Sequence, residues 1–514
     1  MIKSCFRRCF DFSFIILTTG LLLFSCQPNQ KPSRLKESED TLRFMSFNIL
    51  YGGDEVDFSK VVEAIQLANP DVVGIQEAEV ATEKLAKALN FPYYDSKLHL
   101  ISKYPLIRSF DKGWYFTYVE TEPGKVFVFS NIHLPSDPYG PELVRDGKPI
   151  DSVYKNEYLT RFHELDTHKK YFSELQTKGF PIILTGDFNA PSHLDWTSNH
   201  TGSRSHMKYA VEWPVSKSLE KMGFIDTYRS VFPDAKANPG LTWTPGFPAP
   251  TTNPNETHDR IDFIWASGTN NAIDAKILGE KNGPDVDISV TPYPSDHRGV
   301  ITTCVLSAVN CPNYIQTKNR IINFSDSIKL KYFTQEKGPF QIILKDSGGK
   351  SITTLKNIKS SNDELYVKLA DQFTKKIDIY LLQKDSVIAQ GNFWRLEKDK
   401  FQPKLLLTKE VYLENEPIPI TWQNSPGDRF DWIAIYPKSA NTKADYGLTH
   451  QQSKYLIYKY TMGEVSGNLI LDSLSKGDFW PLKQGEYVIH LLSDDGFQSL
   501  ASKSIKVVKN NKDL

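Results

Sequence analysis

Pro181-Ile-Ile-Leu-Thr-Gly-Asp-Phe-Asn-Ala-Pro191 is the stretch on which the reading of this chain turns. Ile182, Ile183 and Leu184 form a short apolar run bounded by turn signals, the pattern of a buried strand. Gly186 is read as the break that delivers Asp187 and Asn189 onto a loop. Alternation sends Asp187 and Asn189 to one side and turns Phe188 back into the protein. A carboxylate beside an amide on the rim of a sheet can orient or deprotonate a water while donating to a phosphate or an oxyanion. Alone, the stretch is equally an acidic turn. It gains weight because other polar clusters in the chain also fall where a strand gives way to a loop.

Upstream, residues 42–50 alternate as a strand carrying Asn48 at its end, and residues 58–67 have apolar positions at helical spacing until Asn69-Pro70-Asp71 stops them. The run Val72-Val73-Gly74-Ile75 is a strand delivering Gln76 and Glu77, with a helix over 82–89 after it. Residues 125–130 form a further strand ending Asn131-Ile132-His133-Leu134, residues 135–155 read as a long loop, and residues 158–175 have helical periodicity. Downstream, residues 191–258 are loop-rich and contain Trp196, Trp213 and Trp243. His258-Asp-Arg-Ile-Asp-Phe-Ile-Trp265 starts another strand, and Thr291-Pro-Tyr-Pro-Ser-Asp-His297 precedes a last one over 299–306. Strands alternating with helices, then strands with long loops, predict α/β with two packed sheets.

Six short motifs in this order, Ser46-Phe-Asn48, Ile75-Gln-Glu77, Asn131-Ile-His133, Gly186-Asp-Phe-Asn189, Arg260-Ile-Asp262 and Ser295-Asp-His297, resemble the endonuclease/exonuclease/phosphatase superfamily over residues 42–306. The resemblance implies a four-layer α/β/β/α sandwich that hydrolyses phosphate esters with a divalent cation, Mg²⁺ in the first place, with Mn²⁺ or Ca²⁺ as alternatives. Carried across motif by motif, it implies Glu77 as the principal metal ligand with Asn48 and Asp296 nearby. Asp187 would align the attacking water, Asn189 and His133 would bind the phosphate, and His297 would act on the phosphoryl group. Hard oxygen ligands suit these cations. Two carboxylates compete to orient His297, because Asp259-Arg-Ile and Asp262-Phe-Ile each match one branch of the superfamily. Three residues apart on a strand, they point to opposite faces, and Asp262 is preferred because it lies inside the strand.

Other polar residues carry less. His163 and His168 are five apart and read as surface, and His193, His200 and His206 match no metal spacing. Cys304 and Cys311 are near enough in sequence to pair, a question the sequence leaves open.

The first residues read as targeting: Lys3, Arg7 and Arg8, then an apolar run over 12–24, then Ser25-Cys26. This resembles a bacterial lipoprotein signal over residues 1–25, with Cys26 lipidated, although Phe24 is bulkier than that pattern usually carries. Residues 26–41 would then be a polar tether to the membrane, placing the protein outside the cytoplasm in the cell envelope, most plainly as an outer-membrane lipoprotein and a monomer.

After residue 310 the pattern changes to short alternating strands. Residues 310–400 read as one β-sandwich and 403–510 as a second, whose Ser425–Pro437 stretch, Gly485-Glu-Tyr-Val488 and Asp495-Gly496 resemble Ig-like accessory domains. Trp422, Trp432 and Trp480 raise a sugar- or lipid-surface role for the last of these. Residues 42–306 hold 26 Lys and Arg against 34 Asp and Glu, a balance of −8 that disfavours duplex nucleic acid. The leading expectation is hydrolysis of a small or lipid-derived phosphoester. A nuclease is the alternative within the class, and an inactive surface-binding protein on the same fold is the alternative outside it.

Overall fold

The computed structural model describes residues 40–509 apart from 79–80, 109–114, 269–270, 325, 371–375, 397–401, 429–430, 440–454, 478 and 494–495. The leader, Cys26 and all but the last residues of the tether lie outside the described residues, as does Asp495.

Two seven-stranded sheets face each other. In the first, the strand Asp40–Asn48 runs parallel to Val72–Gln76 and antiparallel to Gly299–Leu306. In the second, Ile182–Asp187 runs parallel to Lys125–His133 and antiparallel to Asp262–Ser267. Parallel neighbours need a crossover, and helices supply it. The first crossover, Phe58–Ala68, is capped by the Asp57 carboxylate, which accepts the Ser59 N–H, and it stops where Asn69 turns left-handed.

Side-chain alternation sorts each central strand into two rows. Met45, Phe47, Val73 and Ile75 pack on Val61, Ile65 and Leu85 of the helices outside the first sheet. Val126, Val128, Ile182, Leu184, Phe263 and Trp265 pack outside the second, against Leu165 and Phe172. Phe44, Val72, Phe127, Phe129, Ile183 and Ile264 fill the space between the sheets. The order of layers is helix, sheet, sheet, helix.

The rows facing between the sheets change character along their length. Leu42 and Phe44 give way to Ser46 and Asn48, Phe127 and Phe129 to Asn131 and His133, and Ile183 to Thr185 and Asp187. At the changeover Asn131 Oδ1 accepts from Gln76 Nε2 (2.6 Å) and Thr185 Oγ1 (2.9 Å), and Gln76 Nε2 also reaches Ser46 Oγ (3.2 Å). Gly74 makes room for this network: a Cβ there would lie 1.9 Å from Thr185 Oγ1. The polar ends of the rows emerge together at one edge of both sheets.

Several expectations are corrected. Gly186 does not break its strand, which runs on to Asp187; it is glycine because a Cβ would come within 2.6 Å of the Ile132 carbonyl oxygen. The expected loop over 135–155 holds the helices Gly140–Arg145 and Ile150–Glu157, and the loop-rich 191–258 holds Pro214–Lys221 and Thr227–Val231. The helix expected over 158–175 begins as a π-helical turn, Tyr158–Phe162, before His163–Thr177. His168 is buried against Tyr115 rather than on the surface. Cys304 and Cys311 are both free, one in the core between the sheets and the other on the helix side of the second sheet.

Beyond Asn310, two successive units each pair a three-stranded with a five-stranded sheet, in the same strand order and with a parallel strand pair at one edge of the larger sheet. Each encloses its own apolar core. Trp422 and Trp432 are buried and donate to the carbonyls of Glu464 and Gly496, so neither is presented to a sugar or a lipid.

Candidate active site

Asp187 Oδ2 is the centre of the polar edge. Asn48 Nδ2 donates to it at 3.1 Å, and the Nε2 atoms of His133 and His297 each stand 3.6 Å away. Its other oxygen accepts the Asn189 N–H at 2.9 Å, and Asn189 turns left-handed (φ 46°) immediately past the strand. The Asn189 amide also donates to the Leu134 carbonyl, tying the loop after His133 to this turn. His297 Nδ1 meets Asp262 Oδ2 at 2.9 Å, across the gap between the two sheets.

Asn48 Nδ2 also donates to Glu77 Oε1 at 3.1 Å. Glu77 follows its strand with φ 52°, a conformation that side chains rarely adopt, and its Oε2 accepts the Tyr51 N–H. Strained backbone of this kind gathers at functional sites because the surrounding structure must hold it in place. Asn48 Oδ1 accepts the Leu50 N–H, so the amide nitrogen is the end that faces the two carboxylates.

The electrostatics follow from burying many charges together. Burial alone would lower the pKa of His297, but the carboxylates of Asp262 and Asp187 outweigh it and hold the imidazole well above its ordinary value. Burial raises Asp262, with His297 opposing. Burial also pushes Asp296 up to about 6; His297 opposes that shift and the Glu77 charge adds to it.

Asp296 Oδ1 is buried and has no hydrogen-bond partner among the described residues. An orphaned carboxylate oxygen beside a second carboxylate is the environment a hard cation relieves. Glu77 and Asp296 therefore fit a divalent cation, whereas Asn48, expected beside them as a ligand, turns its Nδ2 donor to the carboxylates and its oxygen to the Leu50 N–H and so orients the Glu77 carboxylate instead. Ligand atoms of Asp187, Asp262 and His297 also lie within 4.8 Å of one another. In that group His297 Nδ1 is already engaged by Asp262, so the oxygen-rich Glu77 side is the better seat.

All eight residues singled out for chemistry thus gather at one edge: Asn48, Glu77, His133, Asp187, Asn189, Asp262, Asp296 and His297. Asp259 does not face His297. It is fully buried, accepts Trp196 Nε1–H (3.0 Å), and lies against Arg204 (3.2 Å) and His206 (3.1 Å). His193 pairs with Ser216 and Glu220, and His200 with Thr197, so the three loop histidines form no common cluster. Sequence reasoning missed Thr242 and Trp243, whose contacts with Asp262 and His297 join elements distant in sequence. It also missed Gln76 and Asn131 as links between the sheets; their place one or two positions before a site residue was the available signal.

Residues 45–297 match the model of the endonuclease/exonuclease/phosphatase family. A relative, Uncharacterized protein F14F9.5 of Caenorhabditis elegans, is 29% identical over 290 residues, covering 50% of this chain and 90% of its own length. Among solved structures, an endonuclease/exonuclease/phosphatase from Beutenbergia cavernae is 14% identical, with 69% of this chain and 99% of that chain covered at a TM-score of 0.32. The mannosyl-6-phosphatase Bt3783 of Bacteroides thetaiotaomicron is 17% identical, with 52% and 100% covered at a TM-score of 0.29. A truncated TDP2 from Caenorhabditis elegans is 16% identical, with 52% and 98% covered at 0.30. The part of the chain spanning residues 45–297 belongs to the endonuclease/exonuclease/phosphatase family.

Proposed function

We propose that this protein is a divalent-metal-dependent phosphoester hydrolase. The observation that carries the reading is the meeting of the His297–Asp262 pair, Asp187 and the Glu77–Asp296 carboxylates at one edge of two packed sheets.

In this reading Asp187 takes the proton of the attacking water, its Oδ2 held in place by the Asn48 amide and flanked by the Nε2 atoms of His133 and His297. His297, kept charged by Asp262 and Asp187, presents Nε2 to a phosphoryl oxygen and stabilises the charge that builds there. The Asn189 amide, one N–H of which is taken by the Leu134 carbonyl, would offer its second to the same oxygens. His133, half-exposed at the mouth, binds phosphate or protonates the leaving oxygen. Glu77 and Asp296 would hold Mg²⁺ or a similar hard cation, with Asn48 orienting the Glu77 carboxylate, and the cation would supply Lewis-acid neutralisation of phosphoryl charge.

A small or lipid-derived phosphoester is favoured over duplex DNA. The balance of −8 over residues 42–306 supports this. Residues 1–41 supply the rest of the proposal, a lipid on Cys26 and an extracytoplasmic envelope location, with the two C-terminal units as Ig-like accessory modules.

The test is a hydrolysis panel, with Mg²⁺ or EDTA, over sugar phosphates, phosphoinositides, sphingomyelin, nucleic acids and bis-p-nitrophenyl phosphate. Turnover of a small or lipid phosphoester, abolished by EDTA and restored by Mg²⁺, is expected. Turnover confined to nucleic acid would move the assignment to a nuclease. None on any substrate would leave a binding protein on this fold.

A further inference from the structure

Asp262 opens a strand of the second sheet, whereas Asp296 and His297 precede a strand of the first. Facing sheets slide relative to one another more easily than strands within a sheet, because side-chain packing rather than backbone hydrogen bonding joins them. The 2.9 Å contact between His297 and Asp262 therefore needs something that fixes the offset of the two strand ends.

One short segment reaches both. The N–H groups of Thr242 and Trp243 donate to the Asp259 carbonyl (3.1 and 2.9 Å), the Asp259 N–H donates back to Trp243 (2.8 Å), and the Arg298 N–H donates to Thr242 (2.9 Å). Trp243 is thereby bridged to Asp259 on one side and His297 on the other.

Its three side chains each hold a different site residue. Thr242 is fully buried, and its Oγ1 accepts the N–H groups of Ile261 and Asp262, both at 3.0 Å. The Trp243 ring lies 4.7 Å from the His297 imidazole, and its Nε1 is anchored on Glu256 at 3.0 Å. Thr244 Oγ1 donates to the Asp296 carbonyl at 2.7 Å and accepts the Gly246 N–H at 3.0 Å.

We propose that Thr242-Trp243-Thr244 is the positioning element of this site, setting Asp262, His297 and Asp296 in mutual register across the two sheets. The proposal rests on the hydrolase reading for its kinetic consequence. The geometric consequence stands without it.

The test uses the full-length protein and the variants Thr242→Val and Thr242→Ser. Steady-state kinetics on the best substrate of the panel are combined with the downfield NMR resonance of the His297 Nδ1 proton, identified by its loss in His297→Gln. Thr242→Val keeps the shape and loses the hydroxyl; a displacement of about 1 Å in a reacting group costs on the order of 100-fold in rate. The expectation is a kcat drop of about 100-fold with KM within about twofold, a shifted or lost resonance, and recovery of both in Thr242→Ser. Should Thr242→Val fail to fold, Trp243→Leu, at a half-buried position, is expected to lower kcat and shift the same resonance. An unmoved resonance with wild-type kcat, or equal losses in Thr242→Val and Thr242→Ser, overturns the proposal. If the wild type hydrolyses nothing in the panel, the functional reading fails, and the resonance alone decides the positioning role.

Discussion

Two aspartates three residues apart show how little of a side chain's role lies in its own identity. Asp262 and Asp259 leave the backbone on opposite sides. One meets an imidazole between the sheets; the other is pinned by an indole, a guanidinium and a second imidazole. Removing the negative charge from Asp262 should leave His297 poorly oriented and its charged form unsupported, so Asp262→Asn is expected to cut kcat by about 1,000-fold or more. Asp259→Asn removes the counter-charge from Arg204 inside the protein and should cost about 3 kcal/mol of stability, with kcat changed only a few-fold. Steady-state kinetics and urea midpoints on the two variants check this, and the reverse ranking would hand the orienting role to Asp259.

At the scale of elements, the loop after His133 is not free chain but is clamped from behind. Arg161, in the π-helical turn, donates to the carbonyls of Ser136 and Pro138, and it pairs at 3.0 Å with Glu157 from the preceding helix. Both partners are fully buried, and Glu157 Oε2 has no partner among the described residues. Burial outweighs Arg161 and pushes Glu157 from 4.5 up to about 7. An acid whose folded pKa is raised binds more protons folded than unfolded. Its contribution is therefore greatest below about pH 4.5 and is lost as pH rises through about 7. Between pH 5 and 8 the wild type is expected to lose on the order of 2 kcal/mol more stability than Glu157→Gln. Urea midpoints at the two pH values measure it; parallel losses in both proteins would show that another group is responsible.

For the whole molecule, the boundary expected between 306 and 310 is not where the first core ends. Val309–Asn310 adds a strand against Lys125 and Val126. Cys311 and Tyr314 are buried in the same core as Phe172 and Leu184, and the Gln316 side chain bonds Arg108 and Leu106. A chain ending at residue 306 should lose about 3 kcal/mol or more, the burial of those two side chains alone. A chain ending at residue 400 should keep it. The urea midpoint for loss of activity distinguishes the two, and equal midpoints would make the first 306 residues self-sufficient. The two later units share one strand order although no fixed period is visible in the sequence. Loop lengths that differ between them hide the likeness from a one-dimensional reading.

Apolar alternation interrupted by polar residues at strand ends was enough to place the central strands and the two packed sheets, because period-two patterning and turn signals are local properties of a chain; the four layers and the eight chemical positions were expected only from the resemblance of six short motifs to a known family. The short helices within 135–155 and 214–231 escaped the patterning, their apolar faces being too brief to stand out from Pro- and Gly-rich surroundings. Folding in three dimensions alone settled which aspartate meets His297, that Asp187 gathers the Asn48 amide and two imidazoles around it, and that Thr242 and Trp243 span two sheets. Those relations depend on the offset between sheets packed face to face, and no spacing along the chain encodes an offset.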